Sequence, residues 1–274
     1  MSIVQCSETV YLHLCLPDCP QACASTSRFT CSKCDLGKFS NLAWSDKCGN
    51  CTKGHFAGWL GASKCQECNA GDFQEELGQS ECKKCDIGRY SDNKGTSTCP
   101  ACAPGFFENV VEGEKCLACA KGQYATDPGA SQCKGVVAGS ATAKCAYTDG
   151  RGCSSSILCP TGTYSSQDAA VKCKTCADGY ISVAGGTSCT KCSAGKYSFW
   201  SSTCEQCPEG KFSNDAAFEC DDCFPGREST AGSSECALCP QNKYSSGGMT
   251  CLQCPTGKVS LEGSYTCHGE NFQS

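Results

Sequence analysis

Cysteine is the residue through which this chain could do chemistry. There are 33 in 274 residues, most of them in Cys-x-x-Cys pairs. Such pairs serve as disulfide staples, as thiolate ligands for zinc, or as redox centres. Zinc is the obvious rival to staples. Yet the lone Cys133, Cys159 and Cys267 do not fit four-ligand sites, and the three histidines, His13, His55 and His268, stand at no ligand spacing. Redox exchange would ask for a βαβ context, which surrounds none of the pairs. The cysteines therefore read as disulfides, and disulfides imply an oxidising compartment, extracellular or at the cell surface. An intracellular zinc-binding protein is the minor alternative.

No other constellation competes. No nucleophile stands beside a base, Asp221 and Asp222 are adjacent acids in a loop that water can solvate, and no segment has the oxygen density calcium needs. The chain reads as non-enzymatic, with no catalytic residue, no metal and no cofactor. A net charge of −5 supplies no basic field for nucleic acid. No run approaches the roughly 18 apolar residues of a membrane span. The start, Met1 to Cys6, lacks a basic region, and the apolar run from Val10 to Leu16 is interrupted by His13, which makes a poor signal peptide. A mature or partial product, or one segment of a longer protein, is expected.

The cysteines must be positioned by a repeat. Those at 31, 48, 65, 82, 99, 116 and 133 are spaced by 17, and those at 173, 189, 204, 220, 236, 251 and 267 by 15 or 16. Five segments follow: an atypical start (1–30), a first array (31–133), an irregular insert (134–158), a second array (159–267) and a tail (268–274). The array ends indicate the pairing. Cys133 and Cys267 lack a following partner, and Cys159 has Ser156 where a preceding one would stand. The simplest rule is that the second cysteine of a pair opens a loop and the first cysteine of the next pair closes it.

That rule predicts Cys34–Cys48, Cys51–Cys65, Cys68–Cys82, Cys85–Cys99, Cys102–Cys116 and Cys119–Cys133. In the second array it predicts Cys159–Cys173, Cys176–Cys189, Cys192–Cys204, Cys207–Cys220, Cys223–Cys236, Cys239–Cys251 and Cys254–Cys267, with Cys145–Cys153 inside the insert. The other scheme, pairing within each Cys-x-x-Cys, orphans three cysteines and is geometrically tight. Each loop contributes about 3 kcal/mol in the chain-entropy account. Cys6, Cys15, Cys19, Cys23 and Cys31 remain, an odd number, so one is free, bonds another chain or pairs with a part of the same protein outside this sequence.

Three residues after each opening cysteine stands a glycine, with Asn242 the one exception, and both residue types tolerate positive φ. Two residues further an aromatic is usual, as at Phe39, Tyr90 and Tyr197, and serine often follows. Turn, short strand, turn and short return strand make each loop a stapled β-hairpin. The predicted fold is small disulfide-rich β, an elongated rod or solenoid of tandem hairpins with little conventional core. Stacked neighbours are expected to hide the aromatic rings.

The unit Cys-x-x-Cys-x-x-Gly-x-Tyr/Phe-Ser, clearest at Cys189 to Ser198 and Cys204 to Ser213, resembles the GCC2/GCC3 or ephrin-receptor-like cysteine-rich repeat. It is also similar to the first loop of tumour necrosis factor receptor modules and the last loop of growth-factor-like (EGF-like) modules. The resemblance covers residues 31–133 and 159–267 and implies elongated, extracellular, disulfide-bonded arrays. The chain departs from the receptor modules in having single-loop repeats without an interlocked second disulfide.

Lys196, Lys211, Arg227, Lys243 and Lys258 each stand four residues after an opening cysteine, so stacking would align them in a basic row. One reading is contact with an acidic partner, a glycan or a neighbouring subunit. The other is protection of exposed strand edges from aggregation. Asn50-Cys51-Thr52 is the one N-glycosylation sequon. The function expected is a secreted structural protein, a filament-forming subunit of a surface fibre, hair or coat. Its partners would be copies of itself and other extracellular proteins or glycans. A receptor or adhesion ectodomain binding a protein ligand is the alternative.

Overall fold

Most stapled loops fold on themselves as two-strand antiparallel hairpins, and in the loop from Cys85 the pairing is the single antiparallel bridge of Arg89 with Ala101. Lys38–Phe39 pairs with Gly49–Asn50, His55–Phe56 with Gln66–Glu67, and Lys196–Tyr197 with Glu205–Gln206. The computed structural model describes residues 4–8, 29–41, 47–199 and 203–269, and these contain strands and turns but no helix. We number the hairpins 1 to 14 by their first residue. Hairpins 1 to 6 start at Cys34, Cys51, Cys68, Cys85, Cys102 and Cys119. Hairpin 7 starts at Val136. Hairpins 8 to 14 start at Cys159, Cys176, Cys192, Cys207, Cys223, Cys239 and Cys254.

A strand of two residues cannot stand alone in water. Stability comes from bonds between neighbouring hairpins, and these recur at fixed positions. Between hairpins 2 and 3, Gly54 N–H donates to Gln74 O (2.8 Å), Ala57 N–H to Gln79 O (3.1 Å) and Gly78 N–H to Cys51 O (2.8 Å), while Gly54 O accepts from Cys68 N–H (2.9 Å). Hairpins 10 and 11 repeat the set. Gly195 N–H donates to Ser213 O (2.9 Å), Ser198 N–H to Ala217 O (3.1 Å) and Ala216 N–H to Cys192 O (2.8 Å), and Cys207 N–H donates to Gly195 O (2.9 Å). Backbone groups shielded from water must be paired, and this ladder pairs them.

The residue six after each opener lies inside the ladder, and it is buried in every hairpin, from Ser40 and Ala57 through Gln74, Ser165 and Ser213 to Ser260. Its frequent identity as serine has a reason. Ser213 Oγ donates to Lys196 O (3.0 Å), Ser229 Oγ to Lys211 O (2.9 Å) and Ser260 Oγ to Lys243 O (2.7 Å), each in the preceding hairpin. Ser91, Ser165, Ser182 and Ser245 donate instead to carbonyls of their own turns, and Gln74 and Glu108 also bond their own turns, through Glu81 O and Asn109 N–H.

The glycine three residues after the opener has two reasons to be glycine. Its φ is positive, 77° at Gly37 and 81° at Gly54. A Cβ there would also lie 1.8 Å from Gly78 O at Gly37, and 1.9 Å from Gly95 O at Gly54. Those carbonyls belong to the hairpin two places on, so three successive hairpins meet at each of these glycines.

Residues 136–158 follow the same plan. Val136 is buried where an opening cysteine would stand, and its N–H donates to Gly122 O (2.9 Å). Gly139 has φ 83°, its N–H donates to Ser165 O (2.8 Å), and its carbonyl accepts from Cys159 N–H (2.9 Å). Ser156 occupies the closing position, so the usual staple is missing at both of its ends. The added length is carried by two longer strands, Ser140–Cys145 and Cys153–Leu158. Here the chain divides into two compact units. One comprises Met1–Ala120, Tyr124–Lys134 and Gly152–Ser154, the other Lys121–Gln123, Gly135–Arg151 and Ser155–Ser274.

The aromatic rings are covered less than expected. Phe39, Phe56, Tyr124, Tyr197 and Tyr244 are each half-buried. Phe39 packs on a small cluster made by Cys51, Ala57 and Ala62 beside Cys65. The fully buried layer is cysteine sulfur and small residues, because backbone bonding brings hairpins too close to seat a ring between them.

Gly54→Ala combines a left-handed alanine with a backbone clash and is expected to lower unfolding free energy by about 3 kcal/mol. Gly135→Ala, where no atom lies within 4 Å of the new Cβ, is expected to change it by less than about 0.5 kcal/mol. Denaturant unfolding of the oxidised protein measures both.

Candidate functional surface: the staples and the cation row

The structure joins Cys34 to Cys48, Cys51 to Cys65, Cys68 to Cys82, Cys85 to Cys99, Cys102 to Cys116 and Cys119 to Cys133. In the second array it joins Cys159 to Cys173, Cys176 to Cys189, Cys192 to Cys204, Cys207 to Cys220, Cys223 to Cys236, Cys239 to Cys251 and Cys254 to Cys267. Their Cα–Cα distances fit an ordinary disulfide, 5.7 Å at Cys34–Cys48 and 5.5 Å at Cys192–Cys204. Cys145 and Cys153 are each disulfide-bonded as well.

The two ends of a staple differ in setting. Opening cysteines such as Cys34, Cys51, Cys68 and Cys207 are fully buried, whereas closing cysteines such as Cys48 and Cys65 are half-buried. The opener sits within the ladder, and the closer lies on the return strand at its edge. Near the start of the chain, Val4–Glu8 pairs antiparallel with Phe29–Lys33, which sets Cys6 directly opposite Cys31. Cys15, Cys19 and Cys23 lie outside the described residues.

Aspartates clamp adjacent hairpins at two places. Asp168 Oδ1 accepts from Ala138 N–H (2.8 Å), and Asp215 Oδ1 accepts from Ala194 N–H (2.8 Å). Asp215 also pairs with Lys191 (2.5 Å). The Lys191 hydrogen bond, then the Ala194 amide, hold the Asp215 carboxyl below its ordinary 3.8.

The basic row is present in register. Lys196, Lys211, Arg227, Lys243 and Lys258 occupy one position of five consecutive hairpins, facing Gln206, Asp222, Leu238, Gln253 and Gly269 on the return strands. They are all the lysines and arginines of residues 192–274, a stretch with ten acids. Lys211 pairs with Asp222 (2.6 Å), and Arg227 Nη1 donates to Cys236 O (2.8 Å).

Two surface depressions lie in the second unit. One of 290 Å³ is lined by Glu209, Glu228, Glu235 and Thr250, and one of 440 Å³ by Tyr164, Tyr180 and Thr175. Two acids of the first are committed to structure: Glu228 accepts from Cys251 N–H (2.7 Å), and Glu209 accepts from the Thr250 hydroxyl. Asp221 and Asp222, adjacent in sequence, point apart as strand neighbours and are exposed. Among the described residues no three of His, Cys, Asp and Glu converge as a metal site. Asn50 is exposed on a return strand, beside Gly78 of the third hairpin.

Residues 54–95 and 88–134 match the family described as tyrosine-protein kinase ephrin type A/B receptor-like. The two stretches lie in the first array and cover hairpins 2 to 6. The chain is thus similar to a cysteine-rich repeat of extracellular receptor type over these residues, and no curated protein matches it. The many disulfides and the receptor-like repeats point to an extracellular or surface location. No helix is long and apolar enough to cross a membrane among the described residues.

Reduction with dithiothreitol is expected to unfold the protein and chelation with EDTA to leave its melting temperature unchanged, as followed by circular dichroism. Asp215 adds a pH term. A carboxyl whose folded value is lowered stabilises above its unfolded value and loses that contribution as pH falls through the lowered one. Asp215→Asn is therefore expected to be slightly less stable than the parent at neutral pH and to converge on it as pH falls below about 4, which flattens the acid side of the stability profile. Unfolding midpoints of both proteins across the acid range measure this.

Proposed function

We propose that this chain is a non-enzymatic extracellular scaffold, a subunit of a surface fibre, hair or coat whose task is to hold fixed spacing. The observation that carries this reading is the backbone ladder between successive hairpins, with a disulfide closing nearly every rung. Such a stack resists both extension and proteolysis, because opening an internal hairpin breaks about four backbone bonds to each neighbour and leaves its loop covalently closed. The odd number of cysteines in residues 1–31 supports a disulfide to another chain, which suits a polymer.

A second reading is favoured by the match at residues 54–134: a receptor or adhesion ectodomain that binds a protein ligand along the stack. Tandem receptor-like repeats also present extended surfaces to partners. The two readings differ in self-association.

Negative-stain electron microscopy of native material, before and after reduction, separates them. Periodic fibres that come apart on reduction are expected, together with disulfide-linked multimers on a non-reducing gel. Single particles at every concentration and a monomer band would overturn the fibre reading and leave the ectodomain.

A further inference from the structure

The stack carries its own stop signal. Three residues after the opener, hairpins 1 to 12 all have glycine, and hairpin 13 has Asn242. Asn242 does everything for its next neighbour that a glycine does. Its N–H donates to Ser260 O (3.0 Å), its carbonyl accepts from Cys254 N–H (2.9 Å), and its φ is 65°. Asparagine tolerates that left-handed conformation. Docking of hairpin 14 therefore costs nothing at this position.

The difference lies two places on. A Cβ on the equivalent glycine would stand 1.8 Å from a carbonyl oxygen of the second following hairpin at Gly37, 1.9 Å at Gly54, 2.1 Å at Gly88, 2.0 Å at Gly179, 2.0 Å at Gly195 and 2.0 Å at Gly226. The looser cases are Gly162, with no atom within 4 Å, and Gly210, at 3.4 Å; there the second hairpin is number 10 or number 13, each with a spacing of 12 between its cysteines. Asn242 has the Cβ that these distances forbid. Hairpin 14 can stack on hairpin 13, but a hairpin of spacing 13 or 14 beyond it cannot.

The sequence pattern agrees independently. After Cys267 the next opener is due at 270 and its glycine at 273, and those residues are Glu270 and Gln273.

We propose that Asn242 closes this face of the second unit to any further hairpin of the same kind, whether from its own chain or from a second copy. The face is an end cap, and contacts that propagate an assembly use other surfaces. This holds whether or not the chain forms fibres.

The test replaces residues 270–274 of the full chain with a copy of residues 223–238, which supplies one more hairpin of spacing 13 in register. The graft is made with Asn242 intact, with Asn242→Gly and with Asn242→Asp. Mass spectrometry first establishes that the added staple has formed in all three. Amide hydrogen exchange is then read at the grafted copy of Gly232, whose N–H would bond Cys254 O once docked. Protection is expected to rise by about tenfold or more in the Asn242→Gly chain, and to stay near the unprotected rate with Asn or Asp, both of which keep the Cβ. Equal exchange in the Asn242 and Asn242→Gly chains, protected or not, would overturn the proposal.

Discussion

The whole arrangement depends on how closely one hairpin's backbone approaches the hairpin two places on. At Gly37, Gly54 and Gly195 a single added carbon would overlap a carbonyl oxygen of that second neighbour. Contact at this range lets each glycine donate and accept within the ladder while sealing the layer from water. It also makes the stack cooperative beyond nearest neighbours, unlike repeat arrays in which each unit touches only the next. Removing one hairpin disturbs the two on either side.

That closeness dictates what can be buried. The interior has room for disulfide sulfur, glycine, serine and alanine, and for Gln74 and Glu108 where their polar ends return to their own turns. Large apolar side chains lie outside it, with Val183, Phe224 and Leu261 well exposed. Area burial cannot then be the main source of stability, and the closed loops take its place by restricting the unfolded chain. Hairpin 7 shows the same logic by exception. Without cysteines at the opening and closing positions it places Val136 in the buried site and extends into six-residue strands, whose turn ends carry the disulfide-bonded Cys145 and Cys153.

Much of this was legible in the cysteine spacing. The array ends at Cys133, Cys159 and Cys267 indicate which cysteine opens a loop, and the glycine and serine positions mark a hairpin. What was less legible depends on contacts between repeats. Residues 134–158 look irregular because the repeat was read through its cysteines, and Val136 and Ser156 remove both markers while Gly139 keeps the backbone role. The rings of Phe39 and Tyr197 were expected to be hidden, but a sequence does not reveal how near two backbones come. The serine six residues after the opener is visible as a preference, and its bonds to a backbone carbonyl, of the preceding hairpin at Ser213, Ser229 and Ser260 and of its own turn at Ser91, Ser165, Ser182 and Ser245, explain it.

The ladder also decides where recognition can reside. It occupies the opener, the glycine three residues on, the buried residue six on and the turn near ten, and changes there cost stability whatever the surface needs. Freedom remains at the turn tips and the outward strand positions. There the sequence does vary: Leu60, Leu77 and Val110 are exposed at turn tips of the first unit, and the cations gather in one row of the second. Lysine suits that row on structural grounds alone. Its stem lies along the strand while its ammonium keeps an exposed edge soluble. The carbonyl groups of Lys196, Lys211 and Lys243 are already capped by serines of the next hairpin. A partner that reads the row must therefore bind ammonium and guanidinium groups against a background of ten acids. It would have to be selected by the line of charge, because the net charge of the region repels the same partner.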